Sequence, residues 1–255
     1  MIIDSHAHLK HGDRQHTEYA PEQIIATMDS VGIDKSIVFA MSTTTSRSIE
    51  MAEEAASKYP GRLVPYVYAL PGYVGSVLAD IDRTISQLGF KGIKLHVGEC
   101  SVADYIAGPV FELAAKRGVP CLIDFAGRVE ACRSCVELHP RTTFIIAHLG
   151  KYVSADPELI DRFIDLAEQH PNALLDASGV TLVGKIKEGV QRLGAERIVW
   201  GTDGPHSRND EESYADFPDT VAYARAELQK VQGLHLDAAA LSAVLGGSIS
   251  SLLGI

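Results

Sequence analysis

The sequence predicts an α/β protein folded as a single-domain (β/α)8 TIM barrel over residues 1–255. Three observations carry that prediction. Short apolar runs alternate with amphipathic stretches along nearly the whole chain, the pattern of a parallel sheet covered by helices. There are eight such runs, and eight units in 255 residues suit a closed barrel better than an open sheet. Residues able to do chemistry recur just after the runs, at the strand ends where such barrels carry their sites.

The first strand lies in Met1-Ile2-Ile3-Asp4-Ser5-His6-Ala7-His8-Leu9. A helix over 21–31 follows, with Pro21 suited to its first turn, an apolar face of Ile24, Ile25 and Met28, and Gly32 ending it. The run Ser36 to Ala40 is continuously apolar after its first residue, as a strand buried on both faces should be. The alternation continues as helix 45–59, strand 63–69, helix 77–88 and strand 92–96. Helix 110–117, closed by Gly118, leads into strand 119–125 and helix 129–138. Strand 143–148, helix 157–170, strand 173–177, helix 183–193 and strand 197–203 complete the series. Two closing helices, about 218–230 and 236–245, occupy the C-terminal segment 218–255. No linker, low-complexity tract or strict repeat interrupts the chain.

At 46% hydrophobic the chain can bury one large core. A formal net charge of −10 argues against nucleic acid or an acidic membrane surface as partner, and leaves a small-molecule substrate. No apolar run reaches spanning length, and no basic segment precedes an apolar one at the N-terminus, so the expectation is a soluble, cytoplasmic protein. Barrels of this kind often pair, so a homo-oligomer is compatible with the sequence. Of Cys100, Cys121, Cys132 and Cys135, the last two are helical neighbours without a second pair to complete a zinc site. They read as small core-facing residues.

Two histidines at i and i+2 on a strand point to the same side, so His6 and His8 can share one divalent cation; alternatively they are a surface pair at a strand end. A second apolar strand ends in Asp203, a hard anionic ligand and a general base for a metal-activated water. The other strand ends supply Ser42 and Thr43, then Lys94, His96 and Glu99, then Asp124 and Arg128, then His148 and Lys151, then Asp176 and Ser178. His206 follows Asp203 closely. His11 and His16 fall in the first loop, as lid residues or merely solvated ones. Lys94 sits opposite Ile93 and Leu95 along its strand. The inward direction is favoured, because outward it would lie against helices; inward, it needs a carboxylate partner.

The stretches Ile3-Asp4-Ser5-His6-Ala7-His8, Gly89-Phe90-Lys91-Gly92-Ile93-Lys94-Leu95-His96, Phe144-Ile145-Ile146-Ala147-His148-Leu149-Gly150 and Trp200-Gly201-Thr202-Asp203-Gly204-Pro205 resemble the amidohydrolase superfamily. The likeness is to its amidohydrolase-related branch, which includes aminocarboxymuconate-semialdehyde decarboxylase and lactonases acting on 2-pyrone-4,6-dicarboxylate and sugar lactones. It covers the chain end to end, and the order and spacing of its short motifs make it specific. It implies a (β/α)8 barrel with one divalent ion, His6 and His8 as ligands, Asp203 as ligand or base, and His148 polarising the substrate or activating water.

One position departs from that pattern. Where decarboxylase-like members end the fifth strand in a ligating histidine, this chain has Asp124. Asp124 is expected to be a ligand, or close to one; the alternative is that the strand has lost its ligand, as in the lactonase group. The expected activity is metal-dependent hydrolysis of a small carboxylated ester, lactone or amide. Its catalytic residues are Asp203 and His148, its metal ligands His6, His8, Asp203 and Asp124, and its substrate-binding residues Arg128, Lys151, His96 and Lys94. Zinc is the favoured ion, with manganese as the alternative. The competing readings are decarboxylation of a conjugated acid at the same site and, from another class, a non-catalytic ligand-binding barrel.

Overall fold

A computed structural model of the protein describes residues 1–72, 76–206 and 217–255. The chain alternates as predicted: β1 (Ile3–Lys10), α1 (Pro21–Val31), β2 (Lys35–Ala40), α2 (Thr45–Lys58), then a strand in two pieces, β3 (Leu63–Pro65) and β4 (Val67–Tyr68). It continues with α3 (Ser76–Leu88), β5 (Ile93–His96), α4 (Asp104–Arg117), β6 (Cys121–Asp124), α5 (Val129–Leu138), β7 (Phe144–Ile146), α6 (Pro157–Gln169), β8 (Ala173–Asp176), α7 (Val183–Leu193) and β9 (Ile198–Val199). Successive strands pair in parallel within two ribbons, β1-β2-β3 on one side of the break at Tyr66 and β4 through β9 on the other.

Two sets of backbone bonds turn these ribbons into a barrel. Tyr66 N–H donates to Val38 O and Val67 N–H to Gly92 O, bridging the break. Ser5 N–H donates to Trp200 O, Asp203 N–H to His6 O and His8 N–H to Gly204 O, which closes the last strand onto β1. The final stave is short as regular strand, yet it carries Asp203 alongside His6.

Alternation of side chains fills both faces. Ile37 and Phe39 of β2 point into the barrel with Tyr66, Tyr68, Leu122, Ile145 and Val199, while Val38 and Ala40 pack outward against the helices. Burying aromatic and branched side chains of this size stabilises by about 1.5–3 kcal/mol each. Cys121, Cys132 and Cys135 lie in the outer core, and burial raises their thiol pKa values. Lys94 is the exception inside: it is fully enclosed.

Three elements differ from expectation for identifiable reasons. Helix α4 begins at Asp104, with Pro109 inside it, where the sequence suggested a start after the proline. Pro109 removes one helical hydrogen bond; burial of Ala107, Val110, Phe111 and Ala114 outweighs the loss. Strand β7 stops at Ile146, and Ala147–Gly150 form one tight turn in which His148 (φ 59°) and Leu149 (φ 48°) are left-handed. Gly150 follows at φ 104°, where an added Cβ would lie 2.0 Å from Phe163, so only glycine fits. The closing segment is helical as α8 (Thr220–Gln232), α9 (Ala238–Ser242) and α10 (Ser248–Leu253), with a wider helical turn over Ala243–Gly247. No helix among the described residues is long and apolar enough to cross a membrane.

Candidate metal and catalytic site

His6 and His8 project from β1 into the mouth of the barrel, and both are buried. Asp203 reaches them from the opposite seam: its Oδ1 lies 3.0 Å from His6 Nε2 and 3.0 Å from His8 Nε2. Donor atoms of these three residues lie within 4.8 Å of one another, a group able to hold a metal ion. A second such group, His6, His148 and Asp176, shares its atoms with a hydrogen-bond network. There His6 Nδ1 is 2.7 Å from Asp176 Oδ2, and Ser178 Oγ donates to the same oxygen at 2.6 Å.

Electrostatics sort the two groups. With Nδ1–H committed to Asp176, His6 presents the Nε2 lone pair, which faces the Asp203 carboxylate. The two atoms lie 3.0 Å apart with Lys94 Nζ 3.1 Å from Nε2, and neutral imidazoles with a carboxylate are a sound donor set for a divalent ion. Burial lowers His6 to about 3, with the nearby Lys94 charge acting in the same direction, and burial also lowers His8. Burial works against an ionised Asp203, but His148 and His6, with hydrogen bonds from His206 and His8, hold its carboxyl well below the usual range. These three donors are therefore neutral, neutral and anionic, the state in which such groups can hold an ion.

His148 is held the other way. Its Nδ1–H donates to the Ser178 carbonyl at 2.9 Å, leaving Nε2 3.6 Å from Asp124 Oδ2 and 3.9 Å from Asp203 Oδ1. Burial would lower it, but the charges of Asp203, Asp124 and Asp176 prevail and raise its pKa. Its Nε2 thus faces carboxylates that favour the protonated ring.

Asp124, at the end of β6, lies outside the group of His6, His8 and Asp203. Its Oδ2 is 3.2 Å from His96 Nε2, and its Oδ1 accepts from Ala126 N–H at 2.7 Å. Burial raises its pKa, but the bond from His96 and the charges of His148, His96 and Lys94 outweigh that and keep it ionised. Lys94 Nζ donates to His6 Nε2 at 3.1 Å and sits 5.1 Å from the centre of the Phe39 ring. Burial lowers its pKa, opposed by Asp124, Asp203, Asp176 and Glu99. The inward orientation read from the sequence is the one found.

These groups line a cavity of about 280 Å³ whose wall includes His6, His8, Lys94, His96, Asp124, His148, Lys151 and Asp203. Arg128 is elsewhere: it lines a neighbouring groove of about 710 Å³ and donates to Val97 O at 3.3 Å. The two spaces share Glu99, whose carboxylate accepts from Ser42 N–H, Ser42 Oγ and Tyr68 OH.

The contacts of Asp176, His11 and His206 escaped the sequence reading. Asp176 was visible as a strand end, but nothing in its neighbourhood showed that it would meet His6. His11 is neither lid nor solvated: it is buried, stacks on His8 with ring centres 4.2 Å apart, and meets Pro205 O at 2.9 Å. His206 lies against His11 with ring centres 4.5 Å apart and the rings tilted by 43°, and approaches Asp203 Oδ2 at 3.7 Å. Left-handed backbone recurs at this mouth, at Ser42, Ala126, His148 and Asp203, as at sites where function holds a strained conformation.

A closed parallel barrel with buried histidines and carboxylates converging on one cavity at its C-terminal strand ends defines a TIM-barrel enzyme. The chain belongs to the amidohydrolase family, whose model matches residues 3–255. Among curated proteins it is similar to the L-fucono-1,5-lactonase of Burkholderia ambifaria, at 24% identity over 77% of this chain and 73% of the relative. The fold is shared with the 5-carboxyvanillate decarboxylase of Sphingomonas paucimobilis (TM-score 0.76, 14% identity, 100% and 99% of the two chains). It is also shared with a probable 2-pyrone-4,6-dicarboxylic acid hydrolase from Acinetobacter baumannii (TM-score 0.73, 15% identity, 100% and 99%). A dihydroxybenzoic acid decarboxylase from a Polaromonas species, solved with manganese and an inhibitor, has the same fold (TM-score 0.71, 15% identity, 99% and 96%).

Proposed function

We propose that this enzyme hydrolyses a small carboxylated lactone or ester, with amides as a further substrate class, using one divalent ion held by His6, His8 and Asp203. The observation that carries the reading is the convergence of those three donors on a cavity that also contains a buried lysine. The names of the lactonase and the pyrone-dicarboxylic acid hydrolase favour a cyclic ester. Imidazole and carboxylate donors suit zinc best, with manganese as the alternative. When bound there, the ion would polarise the substrate carbonyl and make a water more acidic.

The chain's own residues supply the rest. Asp203, ionised and beside His6 and His8, accepts the proton of the attacking water and returns it to the leaving oxygen. His148 points Nε2–H into the cavity and stabilises the negative charge that develops on the carbonyl oxygen. The Lys94 ammonium, with Lys151 across the cavity, attracts the substrate carboxylate; His96, fixed by Asp124, borders the same space. Arg128 would meet only a substrate long enough to pass Glu99. Glu99 is tied to Ser42 and Tyr68, so it shapes the boundary rather than offering a base. The cytoplasm is the proposed compartment.

The test is a lactone and ester panel assayed with the wild type and Asp203→Asn. Hydrolysis of a carboxylated lactone, with kcat falling about a hundred- to ten-thousandfold in the variant, is expected. Release of carbon dioxide from a conjugated acid, without hydrolysis, would replace this reading by decarboxylation. Equal activity of the variant would remove Asp203 from the chemistry.

A further inference from the structure

Asp4 lies two residues before His6 in the first strand and takes no part in the chemistry above. It is nonetheless buried, with 3% of its surface exposed, and its carboxylate is fully used. Oδ1 accepts from His6 N–H at 3.0 Å and from Thr202 N–H at 2.8 Å, and Oδ2 accepts from Thr202 Oγ1 at 2.6 Å. Thr202 Oγ1 in turn accepts from Gly204 N–H at 2.9 Å, and the Thr202 carbonyl accepts from Tyr223 OH at 2.8 Å. One carboxylate thus joins the residue that carries the His6 ring to the residue that precedes Asp203.

This seam needs such a tie. Regular pairing of β9 ends at Val199, and beyond it the seam is carried by separate backbone bonds, Ser5 N–H to Trp200 O, Asp203 N–H to His6 O and His8 N–H to Gly204 O, and by the single Ala7–Gly204 bridge. Asp203 itself is left-handed, with φ 60°. The two segments approach so closely that a Cβ on Gly201 would lie 2.8 Å from His6 Cβ. At that separation a small slip of either segment changes the distance between His6 Nε2 and Asp203 Oδ1.

We infer that Asp4, through Thr202, is a positioning residue that sets the separation of His6 and Asp203 across the barrel seam. Its role lies in the pattern of accepted hydrogen bonds. An asparagine can reproduce that pattern: its oxygen receives both backbone N–H groups, its amide donates to Thr202 Oγ1, and the threonine hydroxyl turns to His6 O, which lies 3.5 Å away. Alanine cannot. The inference rests on the proposed site only in taking His6 and Asp203 as its working pair.

The experiment compares wild type, Asp4→Asn, Asp4→Ala, Thr202→Ser and Thr202→Val. Zinc affinity is measured by competition with a chromophoric chelator, and the ring-nitrogen shifts of His6 and His8 by NMR without metal. Asp4→Ala and Thr202→Val should weaken zinc about ten- to a hundredfold, the range found when outer supports of ligands are lost. They should also move the His6 ring shifts. Asp4→Asn and Thr202→Ser should stay within about threefold of wild type and leave the shifts in place. If Asp4→Ala does not fold, Thr202→Val and the two conservative variants decide. An Asp4→Asn protein as impaired as Asp4→Ala or Thr202→Val would overturn the inference, as would ring shifts and affinity unchanged in the non-conservative variants. A wild type that binds no zinc would sink the metal reading alone, and the ring shifts would still judge the tie.

Discussion

The Nδ1–H of His6 donates to Oδ2 of Asp176 across 2.7 Å, with both side chains fully buried. The carboxylate fixes the tautomer, so Nε2 must face Asp203. Asp176→Ala should therefore weaken zinc binding about ten- to a hundredfold while leaving the set of ligands intact. Chelator competition measures this, and an unchanged affinity would show that the ring orients without Asp176.

Asp124 contacts His96 and His148 and stands outside the three-residue group of donors. Asp124→Ala is expected to keep one ion per chain and to lose turnover, because a carboxylate that faces His148 Nε2 and favours its protonated form is gone. Elemental analysis beside the assay separates the outcomes. Loss of the ion along with activity would place Asp124 among the ligands.

The buried Lys94 Nζ lies 3.1 Å from His6 Nε2 and competes with any divalent ion for that nitrogen's lone pair. Lys94→Met should bind zinc more tightly than wild type. The same variant should raise KM for a carboxylated substrate about ten- to a hundredfold, since a charged hydrogen bond is lost. Zinc titration and steady-state kinetics test the two halves separately. Weaker zinc binding in the variant would mean that Lys94 supports the ion rather than opposing it.

Burial raises the Asp4 carboxyl from its ordinary value near 3.8 to about 7. A raised folded-state pKa means that the native protein holds a proton the unfolded chain has released, so stability falls as pH rises between about 4 and 7, and is level with respect to this group above 7. Asp4→Asn removes that dependence. Denaturant unfolding should show Asp4→Asn gaining on the wild type by a few kcal/mol at most as pH is raised from 4 to 7, with a constant difference thereafter. A difference that does not change with pH would show that Asp4 stays ionised in the fold.

The sequence by itself determined the barrel, the strand ends and most of the side chains at the mouth. Period-two and helical patterns are local, and burial on both faces makes β2, β6 and β7 read as unbroken apolar runs. His6, His8, His96, His148 and Asp203 were legible because each closes such a run, and Lys94 because a charge inside a barrel strand has only one tolerable direction.

Tertiary structure decided which of these residues meet. Asp176 and His6 are 170 positions apart, and Asp4 and Thr202 are 198 apart; nothing local in the chain specifies either pairing. Arg128 follows the same strand as Asp124 yet turns into the adjoining groove, and His11 leaves the loop to stack on His8. Such outcomes depend on barrel closure, on the left-handed turns at His148 and Asp203, and on which donor satisfies each buried carboxylate. Those are properties of side chains brought together across the barrel, where the cost of an unpaired charge selects one arrangement.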